Sequence, residues 1–104
     1  MTTIPIAAPH DGQHVAAQVG DVLDVVLAET AGSGFQWRLA GPPAGCAVAG
    51  ETRIPGDVKH PGQPGSHRWQ VVVGAAGKHT LTFALGRGWE DDSRQRVAIT
   101  VTVN

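Results

Sequence analysis

The chain has a single cysteine and no excess of either charge. Cys46 is the only cysteine among 104 residues, so an internal disulfide is excluded and the fold must depend on packing. A chain of this kind suits a reducing compartment without requiring one. The formal charge of −1 gives no general attraction to nucleic acid or to anionic membranes. No basic run interleaves with aromatic residues, so nucleic-acid binding has little support.

Long apolar runs are missing as well. No run is long enough to span a bilayer. The first ten residues lack the charged region and the apolar core of a signal peptide, which leaves localisation open between the cytoplasm and secretion after removal of a leader. The length predicts one domain, residues 1–104. Within it Pro5 and Pro9 interrupt an apolar start, so residues 1–12 form either an edge strand or a loose N-terminal arm.

What the sequence does have is apolar alternation punctuated by turns. Fourteen glycines and seven prolines separate short apolar runs, and no run has a sustained helical period. Apolar residues recur at every second position, which is the period of a half-buried strand. In the segment 14–19, this period places Val15, Ala17 and Val19 on one face. Across the clearest runs it predicts a core of Leu23, Val25, Leu27, Trp37, Trp69, Val71, Leu81, Phe83, Val97, Ile99 and Val101.

The spacing of these runs indicates an all-β fold. About seven to eight short strands favour an immunoglobulin-like antiparallel β-sandwich without a disulfide, and a small barrel is the alternative. A tryptophan on the third main strand matches the immunoglobulin layout. Because strand direction alternates in such a sandwich, the connections 29–34, 55–66 and 86–93 should lie at one end, as antibody binding loops do.

The stretch Thr30–Trp37 contains most of the first of these connections and the start of the following strand. Gly32 and Gly34 permit backbone angles that other residues avoid, and Phe35 and Trp37 share one face of the following strand. The stretch is therefore either an exposed tip on an anchored strand or an ordinary glycine turn.

Four segments carry motifs in a defined order and spacing: Thr30–Trp37, Pro61–Gly65, Val73–His79 and Leu85–Trp89. Together they resemble the chagasin family of inhibitors of papain-like cysteine peptidases. Thr30–Trp37 is similar to the family's Asn-Pro-Thr-Thr-Gly-(Phe/Tyr)-x-Trp motif, and Pro61–Gly65 is similar to its glycine-rich loop. Val73–His79 resembles the family's E–F turn, and Leu85–Trp89 resembles its Arg-Pro-Trp loop. The resemblance covers about His14 to Asn104. Its specificity lies in the order and spacing of the four segments.

The resemblance implies an immunoglobulin-like fold and a wedge that enters the catalytic cleft of the peptidase. By this resemblance, the segment Thr30–Phe35 is the wedge, and the connections 55–66 and 86–93 grip the sides of the cleft. The implied peptidase-binding residues are Thr30, Ala31, Gly32, Ser33, Gly34, Phe35, Gly62, Gln63, Pro64, Gly65, Arg87, Gly88 and Trp89. Ala31 and Gly88 stand where the family has proline, and Gly32 stands where it has threonine.

Other reactive side chains lack the patterns of catalytic or metal sites. The five histidines show no zinc-site spacing, and Glu90–Asp92 is interpreted as a solvated loop. Cys46 lies among small apolar residues and is interpreted as a buried structural thiol. Ser33 lacks the frame of a hydrolase nucleophile. We therefore expect a monomeric non-enzyme without metal or cofactor, whose partner is a papain-like cysteine peptidase. The alternative is a non-inhibitory immunoglobulin-like binding module that uses the same loops for another partner.

Overall fold

Eight β-strands form two four-stranded sheets in the computed structural model, which describes residues 2–29, 35–40, 42–54, 65–86 and 95–104. The strands are β1 (Thr3–Ala7), β2 (Gln13–Ala17), β3 (Val22–Glu29), β4 (Gln36–Leu39), β5 (Cys46–Ile54), β6 (Gly65–Val73), β7 (Gly77–Gly86) and β8 (Gln95–Val103). One sheet has the order β1-β3-β6-β5, and the other has the order β2-β8-β7-β4. These ranges contain no helix, hence none able to cross a membrane.

The strand orders match the two sheets of an immunoglobulin domain. Strands β3, β6 and β5 take the places of B, E and D, while β8, β7 and β4 take those of G, F and C. The predicted immunoglobulin-like all-β fold is thereby confirmed. It stands without a disulfide because its one cysteine is free.

The N-terminal segment divides between the two sheets, which the sequence did not reveal. Strand β1 pairs with β3, and β2 pairs with β8, both in parallel. The other four pairings are antiparallel. Both sheets are therefore mixed, which corrects the expectation of antiparallel pairing throughout. The turn before β2 uses Gly12 at φ +86°, a conformation that glycine adopts without steric cost.

Strand β1 is the edge strand of its sheet, one of the two alternatives for the N-terminal segment. Its entry is fixed because Val22 N–H donates to Thr2 O at 2.8 Å and Thr2 N–H donates to Asp21 Oδ1 at 3.0 Å. Ile6 is buried, so the strand also contributes to the core. Residues 3–7 are thus integrated into the sandwich.

Strand β2 is shorter than its apolar pattern predicts. It ends at Ala17, and Val19 lies in the following turn with 52% of its surface exposed. Asp21 N–H donates to Gln18 O at 3.0 Å, and Gly20 has φ +96°. This turn lifts Val19 off the strand, so its predicted place beside Val15 and Ala17 is wrong.

The core lies between the sheets. Every residue predicted for it is buried, and Ile6, Ala17, Val73 and Val103 join the set. Trp69 of one sheet meets Phe83 of the other, with ring centroids 4.8 Å apart and planes at 58°. Aromatic pairs prefer such tilted contacts. The predicted inward registers of these strands are confirmed.

Cys46 begins β5 and packs against the core, but it is half-buried rather than fully buried. Burial raises the pKa of its thiol above the ordinary value, so less thiolate exists at neutral pH. We expect a disulfide-exchange reagent to label Cys46 slowly at neutral pH, and faster in urea or at alkaline pH. Labelling at the rate of a free cysteine, without denaturant, would contradict this.

Candidate functional site

The six strand ends that carry the predicted binding segments lie at one end of the sandwich. In the first sheet Glu29 pairs with Gly65, and Ile54 pairs with Ser66. In the second sheet Gln36 pairs with Gly86, and Leu85 pairs with Gln95. Trp37 of β4 hydrogen-bonds to Ala28 and Glu29 of β3, so the strand ends of both sheets lie at the same end of the sandwich. We call this the loop-bearing end, defined by Glu29, Gln36, Ile54, Gly65, Gly86 and Gln95. The connections 30–35, 55–64 and 87–94 all depart from it.

The carboxylate of Glu29 joins the two sheets at this end. Its Oε2 accepts a hydrogen bond from the backbone N–H of Trp37 at 2.8 Å. The same oxygen lies 2.9 Å from His67 Nδ1, and Oε1 lies 3.5 Å from Arg53 Nε. The Glu29 side chain is only 10% exposed. One carboxylate at the end of β3 therefore contacts β4, β5 and β6.

Trp37 makes a second connection between the sheets. Its indole Nε1–H donates to the backbone oxygen of Ala28 at 2.9 Å, and the residue is buried. A buried indole N–H normally finds such a partner. Trp37 therefore binds both of the last two residues of β3, which fixes the chain on either side of 30–35.

His67 lies beneath this junction and is 1% exposed. Its Nδ1 faces Glu29 Oε2, and its Nε2 lies 2.8 Å from Glu51 Oε1. Its ring stacks on Trp69, with centroids 3.9 Å apart and planes at 19°. Both ring nitrogens are thus engaged by carboxylates from different strands.

Arg53 extends the cluster to the surface. Its Nη2 donates to Gln36 Oε1 at 2.9 Å, so β5 is tied to the start of β4. Within the described ranges, no buried side-chain nitrogen or oxygen lacks a hydrogen-bond partner. We call the set Glu29, Trp37, Glu51, Arg53 and His67 the anchor cluster.

Two of the predicted binding residues are described. Phe35 lies just before β4 and is half-buried, while Gly65 begins β6, is half-buried and pairs with Glu29. The others lie outside the described residues: Thr30, Ala31, Gly32, Ser33, Gly34, Gly62, Gln63, Pro64, Arg87, Gly88 and Trp89. Their role in binding stays a prediction.

The sequence interpretation missed the anchor cluster. His67 alternates with Trp69 and Val71, so the period of β6 already placed it on the inner face. A histidine at an inward position needs polar partners. That signal was available, but its partners come from β3 and β5, which the local pattern cannot identify. In the described part of the chain, no group of three or more His, Cys, Asp or Glu residues is arranged to hold a metal ion.

Comparison with known proteins gives three concordant matches. The family model described as Chagasin family peptidase inhibitor I42 matches residues 16–103. Chagasin of Trypanosoma cruzi is 26% identical over 101 residues, which is 92% of this chain and 92% of that protein. The cysteine protease inhibitor EhICP2 from Entamoeba histolytica has a similar structure, with a TM-score of 0.82 at 15% identity, covering 100% of this chain and 97% of that one.

A further solved structure is that of PbICP-C in complex with falcipain-2. It matches with a TM-score of 0.62 at 18% identity, covering 100% of both chains. At such low identity the two structural likenesses show a shared fold.

Proposed function

Because the chain belongs to the Chagasin family of peptidase inhibitors, we propose that it reversibly inhibits papain-like cysteine peptidases with the loop-bearing end of its sandwich. The segment Thr30–Phe35 enters the catalytic cleft, and the connections 55–66 and 86–93 contact the cleft walls. The observation that carries this proposal is the common end of the six strand termini. Three connections that depart from one end can contact one partner together.

Inhibition by a wedge requires a rigid base. A segment that is fixed before binding loses less conformational entropy when it enters a cleft. It therefore binds more tightly than a flexible segment with the same contacts. The two hydrogen bonds from Trp37 to Ala28 and Glu29 supply such a base. The anchor cluster therefore supports the placement of the wedge on β3 and β4.

The residue types of the segment fit a papain-like cleft. Such a cleft contains a thiolate and an imidazolium. Gly32-Ser33-Gly34 is compact and can approach these groups closely, while the Ser33 hydroxyl can hydrogen-bond within the segment or to the cleft. Arg87 can pair with a carboxylate or stack on an aromatic ring, and Trp89 is of a type that dominates interface energies.

This function requires surface complementarity and no chemistry by the chain itself. We therefore propose that residues 1–104 act as one inhibitory domain, without catalytic activity, metal or cofactor, and as a monomer. The partner is the peptidase. Neither nucleic acid nor a membrane has a part in this function.

The test is a titration of several papain-like cysteine peptidases with the wild-type protein. We expect competitive inhibition that reverses on dilution and leaves the inhibitor uncleaved. A trypsin-like serine peptidase serves as the control and should keep its activity. Full activity of every cysteine peptidase at micromolar inhibitor would refute the proposal and favour a non-inhibitory binding module.

A further inference from the structure

We propose that Glu29 is the positioning residue of this inhibitor, and that the charge on His67 determines how firmly Glu29 acts. The inference rests on the proposed function and adds two residues outside the predicted binding set. It implies that inhibition weakens as pH rises through the titration of His67.

The first step is the position of Glu29 in the chain. It is the last residue of β3, and its carboxylate accepts the N–H of Trp37, the second residue of β4. The hydrogen bond therefore joins the residue at which the chain leaves the sandwich to the strand at which the chain returns. Trp37 Nε1–H on Ala28 O holds the same two strands together one residue earlier.

The second step is the charge of Glu29. Donors from Trp37, His67 and Arg53 surround a carboxylate that is 10% exposed. Hydrogen bonds to an ionised acceptor are roughly twice as strong as those between neutral groups. An amide in place of the carboxylate has one acceptor oxygen and turns an N–H₂ toward donors. A neutral substitute therefore cannot satisfy all three partners.

The third step is the protonation of His67. An ionised carboxylate only accepts hydrogen bonds, and a neutral imidazole has one N–H to donate. Both ring nitrogens lie within hydrogen-bond distance of carboxylate oxygens, at 2.9 Å from Glu29 and 2.8 Å from Glu51. Only the imidazolium donates to both. In neutral His67 one nitrogen turns a lone pair toward a carboxylate oxygen.

The surrounding charges fix the sign of the effect. Facing His67 are Glu29 of β3, Glu51 of β5 and the nearby Arg53, while Arg38 of β4 lines the groove that Glu51 also borders. Protonated His67 binds both carboxylates. As pH rises and the proton leaves, one of the two bonds is lost. If the remaining N–H stays on Glu29, that bond loses the positive charge of its donor and weakens, so the hold on Glu29 loosens in either tautomer. The contribution is present on the acid side and lost on the alkaline side.

The first experiment compares Glu29→Gln with Asp24→Asn. Asp24 lies on the same strand and binds Arg68 through two hydrogen bonds of 2.6 and 2.7 Å, but it takes no part in the anchor cluster. We expect Glu29→Gln to raise the inhibition constant about tenfold or more. The loss should appear chiefly in the association rate, because only molecules with a correctly placed segment bind. Asp24→Asn should lose stability and keep its affinity.

Two outcomes of this comparison would overturn the role of Glu29. One is a wild-type inhibition constant for Glu29→Gln. The other is an equal loss of affinity in both variants, which would mark a general effect of destabilisation.

The second experiment follows pH. The inhibition constants of wild type and His67→Gln are measured on one peptidase at a series of pH values, from acid to alkaline. The ratio of the two constants cancels the titration of the peptidase itself. We expect the advantage of wild type to be several-fold larger at the acid end. A ratio that is flat with pH would overturn the role of His67.

The third experiment uses the wild-type protein alone, without a peptidase and without a variant. In wild type, the NMR signal of the Trp37 backbone amide should shift with pH together with the signals of the His67 ring, because both contact Glu29 Oε2. A Trp37 amide signal that stays constant with pH while the His67 ring signals shift would overturn the inference. If wild type inhibits no papain-like peptidase, the proposed function fails, while this titration still decides whether His67 controls the hold of Glu29 on Trp37.

Discussion

Replacing Trp37 with alanine is expected to lower the free energy of unfolding by about 3–5 kcal/mol. Trp37 is 4% exposed and is the buried residue of β4, a short edge strand. The change removes its packing and its indole hydrogen bond to Ala28. Domains of this size are stable by only about 5–15 kcal/mol, so much of the protein could unfold. Urea denaturation followed by circular dichroism measures the loss.

The matched control is Arg38→Ala on the same strand. Arg38 is exposed, so its replacement should change stability by no more than about 0.5 kcal/mol. Similar urea midpoints for the two variants would show that β4 does not depend on Trp37 for its place in the sandwich.

Replacing Trp89 with alanine is expected to weaken binding to a papain-like peptidase by about 2 kcal/mol or more, which is roughly 30-fold in the inhibition constant. Trp89 lies outside the described residues, in the connection that leaves the loop-bearing end after Gly86. In the sequence it stands apart from the apolar alternation, between Gly88 and Glu90. We therefore predict that Trp89 is an interface anchor rather than a core residue.

Val19→Ala is the control for this measurement. Val19 is an exposed apolar residue before β3, at the end of the sandwich opposite to Glu29. Its replacement should leave the inhibition constant unchanged. If Trp89→Ala inhibits as well as wild type does, the inhibitory function stands but Trp89 is not an anchor.

Local patterns were sufficient to predict the strands and their buried faces. Leu81 and Phe83, or Val97 and Ile99, alternate with polar or small residues, and burial follows this period because successive side chains point to opposite faces. The same rule failed at Val19, where the turn at Gly20 interrupts the strand. Alternation fixes a face only as far as the strand extends.

Pairing partners could not be predicted in this way. The parallel placements of β1 and β2 depend on which strands border the open edges of the finished sheets. For the candidate site, the sequence predicted the residues of the connections through a resemblance, and the structure supplies their supports. Glu29, Glu51 and His67 lie on three strands, so their meeting depends on tertiary structure that no local pattern encodes.

The parallel pairing of β2 with β8 also sets the order in which the protein can assemble. Asp11, just before β2, accepts a hydrogen bond from the backbone of Ala98, across a sequence separation of 87 residues. Chains rich in such distant contacts fold in about milliseconds to seconds, because a long loop must close before the contact forms. The ribosome adds about 5–20 residues per second, so β8 is synthesised several seconds after β2. The second sheet is therefore completed only after β8 has been made, and until then the backbone edge of β2 that faces β8 forms its hydrogen bonds with water.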